Sequence, residues 1–177
     1  LDANNLWSSP DDAITYLKCL PVDPLAIEEP IKTNHYLALK TIADTFGTKI
    51  ILDESFLRKE QFENLKFSMK TWVINIRVSK MGGILRSLEV ADEARQLGVP
   101  IIIGAQVGET SILTRSALTV ANTCRDVLLA QEGAFGTRLL MQDVVENPLM
   151  FGRGGAISTE NLSEKPGLGL VCNLCGL

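Results

Sequence analysis

Lys49-Ile50-Ile51-Leu52-Asp53-Glu54-Ser55 is the stretch on which the fold turns, because a short apolar run there ends in a carboxylate. An apolar run of this length bounded by polar residues reads as a buried strand with the acid at its C-terminal tip. The same arrangement recurs on both sides. Upstream, Leu25-Ala26-Ile27 ends in Glu28-Glu29-Pro30, and Leu1-Asp2-Ala3-Asn4 reads as the end of another buried strand. Downstream come Trp72-Val73-Ile74-Asn75-Ile76-Arg77 and Ile101-Ile102-Ile103, with a sixth strand expected within Phe135 to Val145.

Helical patterns fill the intervals. Ser9-Pro10-Asp11-Asp12 supplies an N-cap, a proline in the first turn and acids beside it, starting a helix to about Leu20 that Pro21 and Pro24 stop. A helix within Thr33 to Phe46 is capped by Gly47, and a polar one runs from about Arg58 to Leu65. Gly82-Gly83 opens a helix whose stripe is Ile84, Leu88, Ala91 and Ala94, and Gly98 ends it before Pro100. A further helix runs from about Thr110 to Asn122, and the tail from Asn147 reads as irregular.

Strand and helix alternating at roughly 25 residues means parallel β/α units. Six such strands suit either a doubly wound sheet or part of a (β/α)8 barrel. The acidic tips decide for the barrel, where functional groups converge from the C-terminal ends of several strands. Asp2, Glu28 and Asp53 lie 26 and 25 residues apart, one β/α unit each, and so fall on adjacent tips. Three neighbouring carboxylates repel unless a cation neutralises them, and hard oxygen ligands select Mg²⁺ or Mn²⁺ over Zn²⁺. Any one of these acids alone reads as a cap or a solvated loop residue; three at one register point to a metal.

The composition sets the wider bounds. The chain has 177 residues, 46% hydrophobic and 21% charged, which suits one globular α/β domain spanning residues 1–177. Seventeen Lys and Arg against 21 Asp and Glu, a net charge of -4, lack the basic footprint of a nucleic-acid binder. No apolar run is long enough for a membrane span, and the first residues do not form a signal peptide, so a cytoplasmic location is expected. Four scattered cysteines fit a reducing compartment.

Leu1-Asp2-Ala3-Asn4, Ile27-Glu28-Glu29-Pro30, Leu52-Asp53-Glu54-Ser55, Ser79-Lys80-Met81-Gly82-Gly83 and Lys165-Pro166-Gly167-Leu168-Gly169 together resemble the C-terminal barrel of the enolase superfamily, with the muconate-lactonizing-enzyme branch fitting best. The resemblance covers essentially the whole chain, from the family's third strand to its C-terminus. It implies that Asp2, Glu28 and Asp53 bind Mg²⁺, with Mn²⁺ as a substitute and Asn4 beside them. It also implies a reaction in which a base removes the proton α to a substrate carboxylate and the metal stabilises an enediolate. The family's reactions include cycloisomerisation, elimination or dehydration, and epimerisation.

The base departs from the pattern. Where the branch has a strand-end lysine this chain has Arg77, which stays protonated at any working pH and suits holding a carboxylate or stabilising an intermediate. Lys80, in the Lys-x-Gly-Gly turn, is the nearest amine, although strand alternation turns it from the face of Asn75, Arg77 and Ser79 and favours a supporting role. The family's Lys-x-Lys motif, one strand before Asp2, does not occur in this chain. The mandelate-racemase branch is disfavoured because Gly104-Ala105-Gln106-Val107-Gly108-Glu109 has no histidine, and the single histidine, His35, falls on a helix. The Asp-x-Asp of the family's dipeptide epimerases is not found in Met141-Gln142-Asp143-Val144-Val145, which disfavours a free α-amino substrate.

Glu109 matches the family's seventh-strand acid, as a proton donor or substrate contact, and reads equally as a cap on the following helix; Gln106 is a further substrate contact. Cys172-Asn173-Leu174-Cys175 has no second ligand pair, and Gly152-Arg153-Gly154-Gly155 lacks the context of a phosphate loop. The resemblance implies that two barrel strands and a capping domain are absent from this sequence, so a larger polypeptide, or a homo-oligomer, is expected to complete the barrel. The reading is a Mg²⁺-dependent lyase or isomerase acting on a small carboxylate. The alternative is a non-catalytic member that keeps the scaffold and has lost its base at Arg77.

Overall fold

The structure, a computed structural model, describes residues 1–160, 162 and 167–173. Lys165, Pro166, Leu174 and Cys175, parts of two of the motifs above, lie outside the described residues. Helix α1 spans Pro10–Leu17, with the Ser9 hydroxyl accepting from the Asp12 N–H at 3.2 Å. Removing this cap with Ser9→Ala is expected to cost about 1 kcal/mol, read as a lower unfolding midpoint with an unchanged denaturant slope.

Five parallel strands follow: β1 Ala26–Glu28, β2 Lys49–Leu52, β3 Trp72–Ile76, β4 Ile101–Ile103 and β5 Leu128–Gln131. Between them lie α2 (Tyr36–Phe46), a 3₁₀ stretch over Lys59–Thr71, α3 (Val78–Met81), α4 (Ile84–Leu97) and α5 (Ser111–Thr123). Gly47 and Gly98 end α2 and α4 in the left-handed region, at φ of 62° and 66°. The sheet order is β1-β2-β3-β4-β5 with no reversal. A doubly wound sheet reverses its order at a switch point, so the sequential order is that of a barrel. The segment at Asp2 adds a sixth parallel neighbour, bridging Asp2 to Glu28 and Trp7 to Ile31.

Alternation divides the strand residues between two faces. Ile27, Ile50, Leu52, Ile74, Ile76, Ile101 and Ile103 pack in one core with Leu39 and Ile42 of α2, Val90, Ala91 and Ala94 of α4 and Val120 of α5. Trp72 anchors the 3₁₀ stretch to it, its Nε1 donating to the Leu65 carbonyl at 3.2 Å and its ring meeting Phe67 edge-on at 5.9 Å. The opposite parity places Glu28, Asp53, Asn75, Arg77 and Gly104 together on the other face, at the C-terminal ends of their strands.

Two expectations are corrected. The last strand lies at Leu128–Gln131, not within Phe135 to Val145. Gly133, Ala134 and Gly136 all have positive φ, at 94°, 54° and 45°, so the later segment cannot run extended and makes a 3₁₀ turn over Gly136–Arg138. The polar helix expected from Arg58 to Leu65 is instead the 3₁₀ stretch, interrupted at Ser68, whose φ of -159° and ψ of 58° are not helical.

Candidate functional site

The strand tips surround a cavity of about 560 Å³. Asp2, Asn4, Glu28, Asp53, Arg77 and Gln106, all singled out in the sequence, line it. Asn75, Glu54, Gln131 and Glu132, which were not assigned roles, line it as well. Glu109 and Lys80 stand outside the lining and reach it through other residues.

Asp2 itself makes the short parallel bridge to Glu28, and its Oδ1 accepts the Asn4 N–H at 2.9 Å. Asn4 and Asn5 adopt φ of 46° and 59°, a conformation Asn tolerates well, and the Asn5 amide donates to Glu54 at 3.3 Å. Glu28 is buried, and the Asn75 amide donates to its Oε1 at 2.7 Å. Burial pushes the Glu28 carboxyl above its ordinary value; the Asn75 hydrogen bond opposes this, and the charges of Asp2 and Glu132 add to it.

The loop after β2 is set by Glu29, which is fully buried with φ 33°. Its Oε1 accepts the N–H groups of Asp53 at 2.8 Å and Ser55 at 2.7 Å, and its Oε2 binds the Ser55 hydroxyl at 2.9 Å. This fixes the backbone from which the Asp53 side chain projects. Burial, the largest cause, lifts the Glu29 carboxyl to about 7, against the pull of the Ser55 hydrogen bonds.

Arg77 uses all three guanidinium nitrogens. Nε donates to Asp53 at 2.8 Å, Nη2 pairs with Asp53 and with Glu54 at 3.1 Å, and Nη1 donates to Gln106 at 2.9 Å. Lys80 is not turned away as strand alternation implied. The chain leaves the strand at Ile76 and enters the short α3, which brings the Lys80 ammonium back under the site. There it pairs with the Asp53 carboxylate and donates to the carbonyls of Asp53 at 2.7 Å and Asn75 at 3.1 Å. Burial, then the neighbouring Arg77, pulls its pKa down to about 7 against the acids Glu54, Glu29 and Glu28.

Glu109 does not cap α5. Its Oε2 closes its own loop by accepting the Gln106 N–H at 3.0 Å, and burial raises its carboxyl. The first turn of α5 is held by Asp143, whose Oδ2 binds the Ser111 N–H at 3.0 Å and hydroxyl at 2.7 Å. His35 sits exposed before α2. The tip of β5 reads Gln131-Glu132-Gly133, so its acid, Glu132, was missed because the strand was sought downstream.

By donor chemistry Asp2, Glu28 and Asp53 fit a hard divalent cation, since all three present carboxylates to one cavity and Asp2 raises the Glu28 carboxyl by repulsion. Asp53 is committed to Arg77 and Lys80, and among the described residues no three His, Cys, Asp or Glu side chains stand together as a group that could hold a metal ion.

Sequential parallel strands with acids at adjacent tips are the (β/α)8 arrangement, and the family is fixed by comparison: the chain belongs to the enolase C-terminal domain-like family, which it matches over residues 1–174. It is 30% identical over 175 residues to the L-Ala-D/L-Glu epimerase of Bacillus subtilis (strain 168), covering 97% of this chain and 45% of that protein. A dipeptide epimerase from Cytophaga hutchinsonii, solved with Mg and D-Ala-L-Val, superposes with a TM-score of 0.83 at 26% identity, over 99% of this chain and 46% of that one. A muconate lactonizing enzyme superposes with a TM-score of 0.79 at 26% identity, over 97% of this chain and 46% of that one. The chain thus spans about half the length of these relatives. No helix among the described residues is long and apolar enough to cross a membrane.

Proposed function

We propose that this chain carries the metal and substrate half of a Mg²⁺-dependent enzyme that abstracts the proton α to a substrate carboxylate, as a cycloisomerase, a lyase or dehydratase, or an epimerase. The observation that carries the reading is the convergence of Asp2, Glu28 and Asp53 on one cavity with Arg77 beside them. Asp2, Glu28 and Asp53 would hold Mg²⁺, which would supply positive charge where negative charge gathers as the α proton leaves. Arg77, a permanent cation at the cavity wall with Gln106 against it, orients the substrate carboxylate. Gln106 and Asn4 contact the substrate from the rim, and Glu109 holds Gln106 through its backbone. Lys80 supports Asp53 rather than accepting the proton, since its ammonium is committed to the Asp53 carboxylate and to the carbonyls of Asp53 and Asn75. The proton acceptor in this proposal is a lysine of the Lys-x-Lys motif that the family carries one strand before Asp2; with Arg77 in place of the lysine on the opposite face, one-base cycloisomerisation or elimination is favoured over two-base epimerisation. Mg²⁺ relatives acting on dipeptides favour a substrate of the acylated or peptidyl amino-acid class. The β5 tip, with one acid in Gln131-Glu132-Gly133, does not reproduce the Asp-x-Asp that the family uses for a free ammonium.

The test is ¹H NMR exchange in D₂O, using the full-length protein with dipeptides, N-acyl amino acids and a carboxymethyl lactone, each of which carries an sp³ C–H α to a carboxylate. Loss of the α-proton signal with Mg²⁺ and not with chelator is expected. No exchange with any of them would favour the second reading, a scaffold without catalysis, which draws on the pairing of Arg77 with Asp53. In the first reading Arg77→Lys loses the planar three-partner contact and lowers kcat/KM by about tenfold to a hundredfold. Higher exchange in that variant would instead identify position 77 as a lost base.

A further inference from the structure

Asn75 is the one polar residue of a strand buried along its whole length. Its Nδ2 donates to Glu28 Oε1 at 2.7 Å, while its Oδ1 is buried with no hydrogen-bond partner. A polar atom is left in that state only at a cost to folding, so the amide is held there by something other than stability.

The neighbouring residue explains how it fits. A Cβ on Gly104 would stand 2.1 Å from Asn75 Oδ1 and 2.8 Å from its Cγ, an overlap that no side chain could relieve without expelling the amide. The φ of Gly104 lies outside the left-handed region, so the backbone there does not itself require glycine. Its missing side chain is what admits Asn75. β3 and β4 pair Asn75 with Ile102, and the Gly104 N–H donates to Ile76 at 3.0 Å, which fixes the two positions against each other.

From this we infer that Asn75, seated by Gly104, is a positioning residue for the metal site: it binds one oxygen of Glu28 and so sets which oxygen faces Asp2 and the cation. The inference rests on the Mg²⁺ reading above. Among the described residues Glu28 Oε2 accepts no hydrogen bond, so the Asn75 amide is the contact that orients this carboxylate. Partners that orient metal ligands in this way typically change metal affinity by about tenfold to a hundredfold when removed.

The test is a double-mutant cycle on the full-length protein, reading Mg²⁺ affinity by calorimetry and the melting temperature in chelator. Asn75→Ala and Gly104→Ala are each expected to weaken Mg²⁺ binding by about tenfold or more. The double variant should bind no more weakly than Asn75→Ala alone, because the new Cβ no longer meets an amide. Asn75→Leu, which fills the space without a donor, should bind Mg²⁺ as weakly while melting near the wild-type temperature; a merely structural role would move the melting temperature and not the affinity. Wild-type affinity in Asn75→Ala and Asn75→Leu, or independent multiplying losses in the cycle, would overturn the inference while Asp53→Asn still abolished binding. A wild-type protein that binds no Mg²⁺ would overturn both this inference and the reading beneath it.

Discussion

Glu29→Ala is expected to destabilise the protein by about 4 kcal/mol, because two buried backbone N–H groups and a hydroxyl lose their acceptor at once. Those groups belong to Asp53 and Ser55, so the loss falls on the loop that carries a proposed metal ligand. A cost of this size is a large share of the roughly 5–15 kcal/mol that holds a domain folded. Glu29→Gln has the opposite outcome, since its carbonyl oxygen can accept both N–H groups and its amide can donate to Ser55. The sign of the pH dependence follows from the same burial. The native carboxyl, lifted to about 7 from 4.5, keeps its proton where the unfolded chain has released it. Its contribution is therefore complete below 4.5 and is lost as pH rises to about 7, a change of about 3 kcal/mol. Lys80 acts in the other direction: its pKa is lowered from 10.5 to about 7, so the unfolded chain binds the extra proton and stability rises with pH across that interval. Urea unfolding in chelator should show Glu29→Gln gaining on the wild type between pH 4.5 and 7. A constant difference between the two across that range would contradict this account.

The fold was legible where burial is one-sided and the chain is punctuated. The runs ending at Glu28 and Asp53 and the caps at Ser9, Gly47 and Gly98 all stand where the pattern puts them. β5 was not legible, because its residues are partly exposed and the apolar residues of Phe135 to Val145 offered a competing run; the left-handed Gly136 and the 3₁₀ turn over Gly136–Arg138 that break this run are not written in hydropathy. Of the site, Asp2, Glu28 and Asp53 could be found by counting one β/α unit at a time, whereas Asn4, Arg77 and Gln106 are found through the family resemblance; all six line the cavity. The inward place of Lys80 could not, since period-two alternation ends where α3 begins. Asn75 carried a signal that went unused: a lone amide in an otherwise apolar strand.

Removing the charge of Asp53 is the second large effect expected. Asp53→Asn takes away one of the three proposed cation ligands and leaves Arg77 and Lys80, both largely buried, without their shared carboxylate. Loss of one partner from such a buried pair costs about 3–5 kcal/mol. Metal binding and stability should therefore fall together in this variant. Asp2→Asn separates them, because Asp2 is exposed and carries no ion pair among the described residues, so its loss should abolish metal binding with little change in melting. The most direct measurement is calorimetric titration of Mg²⁺ into the full-length protein and into Asp2→Asn and Asp53→Asn. The account predicts saturable binding in the wild type and none in either variant; no heat in the wild type, or equal binding in all three, would contradict it.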